Sequence, residues 1–218
     1  MTLATLEAEA QTVGLTIRGA FHPTPGDMPP AGCATLLLLG PNEPVFWQHY
    51  AAAPESRDAG PDPLDRWSKR VIGALALGWG GLAQFPSDGP PYPPFQKWAE
   101  SSGRCWPSPT GLLVHDDAGL LISFRGAVAL PHRIVLTAAA VPPCTTCAEH
   151  PCETACPVAA LRPDAPYDVP ACQAFLRTPQ GADCRHNGCL VRRACPASAR
   201  LNRAPEQAAF HMAAFVKD

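Results

Sequence analysis

Cysteine dominates the last third of this sequence. Eight of the ten cysteines lie between Cys144 and Cys195, whereas Cys33 and Cys105 stand alone earlier in the chain. The first fourteen residues carry two glutamates and no basic residue, which is not the pattern of a secretory signal peptide. We therefore expect the protein in the cytoplasm, where thiols stay reduced. Clustered cysteines in that compartment more often bind metal than each other, so the cluster predicts a metal site.

The rest of the composition is that of an ordinary globular protein. The chain has 218 residues, of which 46% are hydrophobic and 17% charged, and these values exclude wholesale disorder. No apolar run approaches the roughly 18 residues that a membrane span requires, so we expect no membrane partner. The net charge of −2 argues against nucleic acid as a main partner.

The spacing of the eight cysteines is close to that of a ferredoxin with two iron–sulfur clusters. The bacterial ferredoxin pattern is C-x2-C-x2-C-x3-C-P. The first group here reads C-x2-C-x4-C-x3-C-P from Cys144 to Pro157, which is that pattern with two residues added before the third cysteine. The second group has Cys172, followed by C-x4-C-x5-C-P from Cys184 to Pro196. Both groups therefore end in Cys-Pro, as in two-cluster ferredoxin modules.

We expect the cysteine before each proline to bind the cluster of the other group, because it points away from the loop that carries its three neighbours. The sequence then predicts two 4Fe-4S clusters, each with four thiolate ligands. The first would be held by Cys144, Cys147, Cys152 and Cys195, and the second by Cys156, Cys172, Cys184 and Cys189. Three alternatives stay open: two structural zinc sites with the same eight ligands, disulfides, and cysteines that hold no metal.

The elements predicted along the chain give an α+β fold in two domains. Pro142-Pro143 marks the boundary between an α+β domain at 1–141 and a small, loop-rich cysteine module at 142–218. In the first domain, the sequence pattern predicts helices at 2–13, 64–77 and 95–101, and strands at 15–21 and 33–39. Two strand-like runs at 112–115 and 120–124 flank an Asp-Asp-Ala-Gly turn and predict a hairpin.

The order of these features resembles epoxyqueuosine reductase and its relatives. The resemblance rests on Pro94–Ala99, Gly103–Trp106, Leu112–His115, Gly119 and the double Cys-Pro module. In addition, Pro63–Arg70 is similar to a segment of cobalamin-processing proteins of the CblC type. The resemblance implies a nitroreductase-like, corrinoid-binding domain followed by a bacterial-ferredoxin-like module with two 4Fe-4S clusters. It also implies the crossed ligand assignment, and electron flow from the clusters to the cobalt of a corrinoid.

The sequence departs from that family at two places that matter for its reaction. The family's proton-donating Asp, three residues before the proline matched by Pro94, is replaced by Pro91. Its Gly-Lys-Asn segment is replaced by Ser108-Pro109-Thr110. We therefore do not expect epoxyqueuosine reduction, while the binding of some corrinoid remains open. No catalytic residue is assigned.

Together, these features predict an iron–sulfur redox protein that passes single electrons through two clusters to a corrinoid, such as cobalamin, or to a similar cofactor on the first domain. Such a protein could be a corrinoid-dependent or corrinoid-reducing oxidoreductase. Two alternatives are a ferredoxin-type electron carrier without an organic cofactor, and a cobalamin-processing or trafficking protein with a structural cysteine module. A redox protein partner is expected to dock near Arg185, Arg192 and Arg193, in a stretch rich in arginine and free of acidic residues.

Overall fold

A computed structural model describes residues 1–216 as two compact units, and the protein is α+β, as the sequence predicts. The first unit contains Met1–Arg104 and Ser123–Ala140. The second contains Cys105–Ile122 and the chain from Val141 onward. The chain leaves the first unit for the last time after Ala140, next to Pro142-Pro143, where the sequence predicts the domain boundary. The segment Cys105–Ile122, which the sequence placed in the first domain, belongs to the second unit.

The first unit is built on one antiparallel sheet. In chain order its elements are helix α1 (Leu3–Thr12), strands β1 (Leu15–Phe21) and β2 (Thr35–Pro41), helices α2 (Phe46–Ala52) and α3 (Pro63–Gly78), strand β3 (Leu82–Gln84), helix α4 (Phe95–Ser101) and strand β6 (Gly126–Leu130). The strands pair in the order β1-β2-β6-β3. Every neighbouring pair is antiparallel.

Strand β2 lies in the middle of the first unit's core. It is buried along its whole length, and Leu36–Leu39 have no exposed surface. A strand with apolar residues at successive positions, rather than alternate ones, is typical of one that is covered on both faces. Helix α3 packs against β3 and β6 through buried residues that recur every three or four positions. One stripe of this helix therefore faces the sheet.

The second unit consists of short elements around the cysteines. In chain order these are strands β4 (Cys105–Pro107) and β5 (Leu113–His115), and helices α5 (Val169–Leu176), α6 (Ala182–Asn187), α7 (Leu190–Ala194), α8 (Pro196–Ala199) and α9 (Pro205–Val216). Short 3-10 turns lie between β5 and α5, at Pro143–Thr146 and Pro151–Glu153. Cys152 belongs to a buried cluster with Val114 and Val191, and four further cysteines pack against that cluster: Cys144, Cys156, Cys189 and Cys195. These five cysteines therefore pack at the core of this unit.

No helix within residues 1–216 is both long enough and apolar enough to cross a membrane.

Local sequence patterns predicted most of the first unit. Helices α1, α3 and α4 and strand β1 lie where the sequence placed them, with ends that agree to within one residue. Strand β2 begins at Thr35 rather than Cys33. Helix α2 and strand β3 were not predicted, because each is short and carries no clear periodicity.

The predicted hairpin at 112–124 is wrong. Strand β5 pairs with β4 instead, in the register Trp106 to Val114. His115 and Gly119 bridge the turn. After Gly119 the chain folds back in turns, and the backbone N–H of Leu121 donates to the side-chain oxygen of Ser198 at 3.2 Å. A partner distant in sequence therefore replaces the local strand partner that the turn suggested.

Candidate functional site

Four cysteines from both cysteine groups line one cavity of the second unit. Cys144 and Cys147 lie in and just after the turn at Pro143–Thr146, and Cys152 lies in the next short turn. Cys195, the residue before α8, joins them from the second group. The cavity is broad, since about 510 Å³ of it accepts the centre of a water molecule. We call these four residues the first cysteine set.

The remaining four cysteines of the module line a second cavity: Cys156, Cys172, Cys184 and Cys189. We call them the second cysteine set. They come from α5, α6, the residue before α7 and the loop after the turn at Pro151–Glu153. Apolar side chains, among them Leu176 and Met212, complete the lining. This cavity is much narrower, with about 350 Å³ of empty volume, of which about 20 Å³ accepts the centre of a water molecule.

The two Cys-Pro cysteines are the ones that cross between the groups. Cys156 lies with the second set and Cys195 with the first, so the two sets are the same groups of four that the sequence led us to expect. The physical reason is local: a residue before proline avoids helical backbone angles. Cys195 accordingly has φ −66° and ψ 122° and breaks the chain direction between α7 and α8.

Burial and neighbouring sulfurs raise the pKa of thiols in the first set. Burial is the largest cause for Cys152 and raises its pKa to about 11, with further contributions from Cys144 and Cys195. The pKa of Cys144 is raised by burial first and then by Cys195 and Cys147. These sulfurs therefore lie close to one another. Ionising these buried thiols costs free energy unless a bound metal cation compensates the negative charge of the thiolates.

The second set combines burial with hydrogen bonds to sulfur. Burial raises the pKa of Cys172 and Cys184. The hydroxyl of Tyr167 and the backbone N–H of Leu190 act in the opposite direction on the pKa of Cys172 and of Cys184, respectively. The backbone N–H of Ala160 donates a hydrogen bond to the sulfur of Cys156 at 3.2 Å. Burial raises the pKa of Tyr167.

The cysteines of each set surround empty volume rather than one point. A zinc ion holds each thiolate at about 2.3 Å, which places four tetrahedral sulfurs about 3.8 Å apart. Among residues 1–216, no group of three or more His, Cys, Asp or Glu side chains is arranged to hold a single metal ion. The cavity of the first set has room for a bound group larger than one ion, whereas the volume that accepts the centre of a water molecule in the second cavity is about that of one water.

The three arginines expected to form a docking surface are bonded within the second unit. Arg192 donates to the carbonyl of Leu120 at 2.6 Å. Arg185 and Arg193 also donate to backbone carbonyls, and Arg193 pairs with the carboxylate of Asp183. These guanidinium groups therefore hold the short elements together around the cysteines, which is a structural role that the sequence pattern did not reveal.

Gly119 lets the turn after β5 approach the first cysteine set. It has φ +56°, a left-handed conformation that favours glycine. A Cβ at this position would lie 2.4 Å from the backbone nitrogen of Ser198 and 2.9 Å from the sulfur of Cys195. The buried His115 stabilises the same turn, because its Nδ1 accepts the backbone N–H of Asp117 and Ala118, each at 3.0 Å.

Sequence reasoning missed the approach of Gly119 to Cys195 and the hydrogen bond from Arg192 to Leu120. The sequence predicts a turn at Gly119, and the approach of this turn to Cys195 depends on the position of α8. Only the folded chain brings these pairs together.

The first unit has a cavity of another kind. About 290 Å³ of it accepts the centre of a water molecule, and its lining includes Asp65, Ser68, Phe85 and Arg125. Pockets for drug-sized ligands measure about 300–1,000 Å³. A corrinoid is considerably larger than such a ligand, so this cavity does not fit one.

No protein-family model, curated protein or solved structure matches the chain. The geometry and chemistry of the two cysteine sets are therefore the basis for assigning a function.

Proposed function

We propose that the chain holds two 4Fe-4S clusters, one in each cysteine set, and serves in the transfer of single electrons. The observation that carries this proposal is the division of eight cysteines into two groups of four, each around its own cavity, with the Cys-Pro cysteines exchanged. Four thiolates are the ordinary ligand set of such a cluster. When bound, the clusters supply one-electron oxidation and reduction.

The chain's own residues would hold and shield these groups. In the second set, apolar neighbours such as Leu176 and Met212 exclude water, and the backbone N–H of Ala160 would stabilise a thiolate at Cys156 through its hydrogen bond to the sulfur. The first set lies in a broader cavity, with the exposed Arg200 among the residues that line it. This opening supports the first set as the place where electrons are exchanged with a partner.

The size of the first cavity supports a cluster over a structural zinc ion. About 510 Å³ of this cavity accepts the centre of a water molecule, which is more room than a single ion needs. A cytoplasmic location follows from the proposal, because the eight thiols must stay reduced until metal binds.

Three candidate functions differ in what the first domain would do. A corrinoid or similar cofactor on the first domain would make the protein a corrinoid-dependent or corrinoid-reducing oxidoreductase. A ferredoxin-type carrier without an organic cofactor is the second candidate. A trafficking protein with a structural cysteine module is the third. The partner proposed for docking near Arg185, Arg192 and Arg193 would instead meet the rim at Arg200, because the other three guanidinium groups have internal partners.

Metal analysis of the anaerobically purified protein tests the main proposal. About eight irons and eight acid-labile sulfides per chain are expected for two such clusters. About two zincs, or no metal, would overturn the proposal. Addition of cobalamin to the iron-loaded protein then separates the acceptors: a change in the corrinoid absorption spectrum favours corrinoid binding, and an unchanged spectrum favours the carrier.

Cysteine variants test the crossed assignment. Cys156→Ser is expected to damage the cluster of the second set, and Cys195→Ser that of the first, which electron paramagnetic resonance can distinguish. Cys147→Ser and Cys189→Ser are the matched controls, because each lies in the same cavity as its own motif neighbours. If Cys156→Ser gave the spectrum of Cys147→Ser, the crossed assignment would be wrong.

A further inference from the structure

Two hydroxyl groups are buried together in the loop between β4 and β5. The side-chain oxygens of Ser108 and Thr110 lie 3.2 Å apart, within hydrogen-bond distance. The two residues are only 7% and 3% exposed. Ser108 is one of the residues that line the cavity of the first cysteine set, whereas Thr110 is not among the described residues of that lining. The pair therefore has one member at the cavity and one member behind it.

Backbone hydrogen bonds fix Ser108 in this position. Its N–H donates to the carbonyl of Leu112 at 2.8 Å, and its own carbonyl accepts the N–H of Gly111 at 2.9 Å. Gly111 has φ +76°, which allows the loop to turn back tightly toward Ser108. Ser108 cannot move away from the cavity without breaking at least one of these two bonds.

The Ser108–Thr110 pair has one hydroxyl proton more than its mutual hydrogen bond uses. Each hydroxyl carries one proton that it can donate, and a single bond between them uses one of the two. Among residues 1–216, neither hydroxyl has a further hydrogen-bond partner. Buried donors in proteins are nearly always bonded. When Thr110 donates to Ser108, the remaining proton is that of Ser108, and an acceptor for it is expected in the first cavity.

The sulfur atoms of an iron–sulfur cluster are acceptors of the required kind, because they carry negative charge. Two hydrogen bonds in series, from Thr110 to Ser108 and from Ser108 to sulfur, polarise and strengthen each other. Reduction adds an electron to the cluster and makes its sulfurs more negative. An O–H donor stabilises this more negative state more strongly, so it raises the reduction potential.

We propose that the hydroxyl of Ser108 donates a hydrogen bond to the cluster held by the first cysteine set and thereby raises its reduction potential. Thr110 supports the bond by donating to Ser108 from behind. This inference rests on the proposed function and deepens it. It gives the first cluster, which lies in the broader cavity, a donor that the second cluster does not share.

The test is Ser108→Ala in the full-length, iron-loaded protein. The reduction equilibrium constant of the first cluster is expected to fall about two- to tenfold, the range of a single hydrogen bond. At about 59 mV per tenfold for a one-electron couple, this is a shift of about 20 to 60 mV to more negative potential. The measurement is a redox titration followed by electron paramagnetic resonance, with the two clusters assigned by Cys147→Ser and Cys189→Ser.

Thr110→Val is the matched control. It breaks the same Ser108–Thr110 hydrogen bond but keeps the hydroxyl of Ser108 at the cavity. Both variants should therefore lower the thermal midpoint, whereas only Ser108→Ala should shift the potential of the first cluster by the full amount. Ser108→Thr retains a hydroxyl at this position and should preserve the potential.

The remaining outcomes separate the inference from the proposed function. An unchanged first potential in Ser108→Ala, expected if water alone accepts this proton, would overturn the inference, and so would an equal shift in Ser108→Ala and Thr110→Val. If Ser108→Ala did not retain the first cluster, its retention by Thr110→Val would support a direct contact, and its loss in both variants would overturn it. Iron content below two clusters in the wild-type protein would instead refute the proposed function.

Discussion

The close approach of Gly119 to Cys195 predicts how much stability the protein should lose when Gly119 is replaced by alanine. In Gly119→Ala the new Cβ would lie 2.4 Å from the nitrogen of Ser198 and 2.9 Å from the sulfur of Cys195, so the backbone or the sulfur must move. Overpacking of this kind costs about 1–3 kcal/mol. The left-handed backbone adds about 1–2 kcal/mol for any residue with a Cβ. We expect a loss of about 2–5 kcal/mol in the free energy of unfolding.

Gly111→Ala is the matched control for this prediction. Gly111 also belongs to the second unit and has φ +76°, but a Cβ there would meet no atom within 4 Å. This variant should therefore lose only the backbone contribution of about 1–2 kcal/mol. The difference between the two variants isolates the contact with Ser198 and Cys195.

Thermal unfolding and iron content provide the assay. For a chain of this size, each kcal/mol shifts the midpoint by about 2–4 °C, so Gly119→Ala should unfold several degrees below Gly111→Ala. Because the displaced sulfur belongs to the first cysteine set, a cluster bound there as proposed should lose its iron in Gly119→Ala before a cluster bound by the second set does. Equal midpoints and equal iron content in the two variants would refute the reasoning.

Two further predictions concern ionic side chains. Arg192→Gln should lower the thermal midpoint, because the carbonyl of Leu120 loses its donor at a cost of about 1–3 kcal/mol. Arg200→Gln, at the exposed rim of the first cavity, is the control and should change the midpoint little. Equal midpoints in the two variants would show that the 2.6 Å hydrogen bond from Arg192 does not stabilise the protein. The hydrogen bond from Arg70, helped by its charge, lowers the pKa of Glu55 to about 2 from 4.5. Its stabilising contribution should therefore be complete above about pH 5 and be lost as the pH falls toward 2. Glu55→Gln should remove this part of the pH dependence, measured as the difference in thermal midpoint from the wild type at each pH. A constant difference between the two proteins from about pH 6 to pH 3 would contradict it.

Local patterns were sufficient where an element depends on its own residues. Helix α3 has a proline in its first turn, an apolar stripe and a terminal glycine, and each of these signals acts within a few residues. The same holds for the Cys-Pro steps, because proline restricts the residue before it wherever the chain goes. The grouping of the cysteines around two cavities could therefore be predicted from their spacing.

Patterns failed where an element depends on a distant partner. Strand β5 has the sequence of a hairpin arm, yet it pairs with β4, and the run after Gly119 bonds to Ser198 instead of forming a strand. Strand propensity describes a side chain's fit to a pleated surface and does not name the strand it pairs with. The arginines between Arg185 and Arg203 are a second case. Their spacing indicated an exposed surface, whereas backbone carbonyls accept hydrogen bonds from four of them: Arg185, Arg192, Arg193 and Arg203.

The sequence by itself determined helices α1, α3 and α4 of the first unit, the central apolar strand and the spacing of the cysteines in the second unit. These features depend on periodicity, on proline and glycine, and on residue types at fixed offsets, all of which act over short distances. Only the tertiary structure decided that Cys105–Ile122 belongs to the second unit, that Gly119 approaches Cys195, and that Arg192 donates to the carbonyl of Leu120. Each of these contacts joins residues whose separation is set by the packing of intervening elements, and packing is a property of the whole unit.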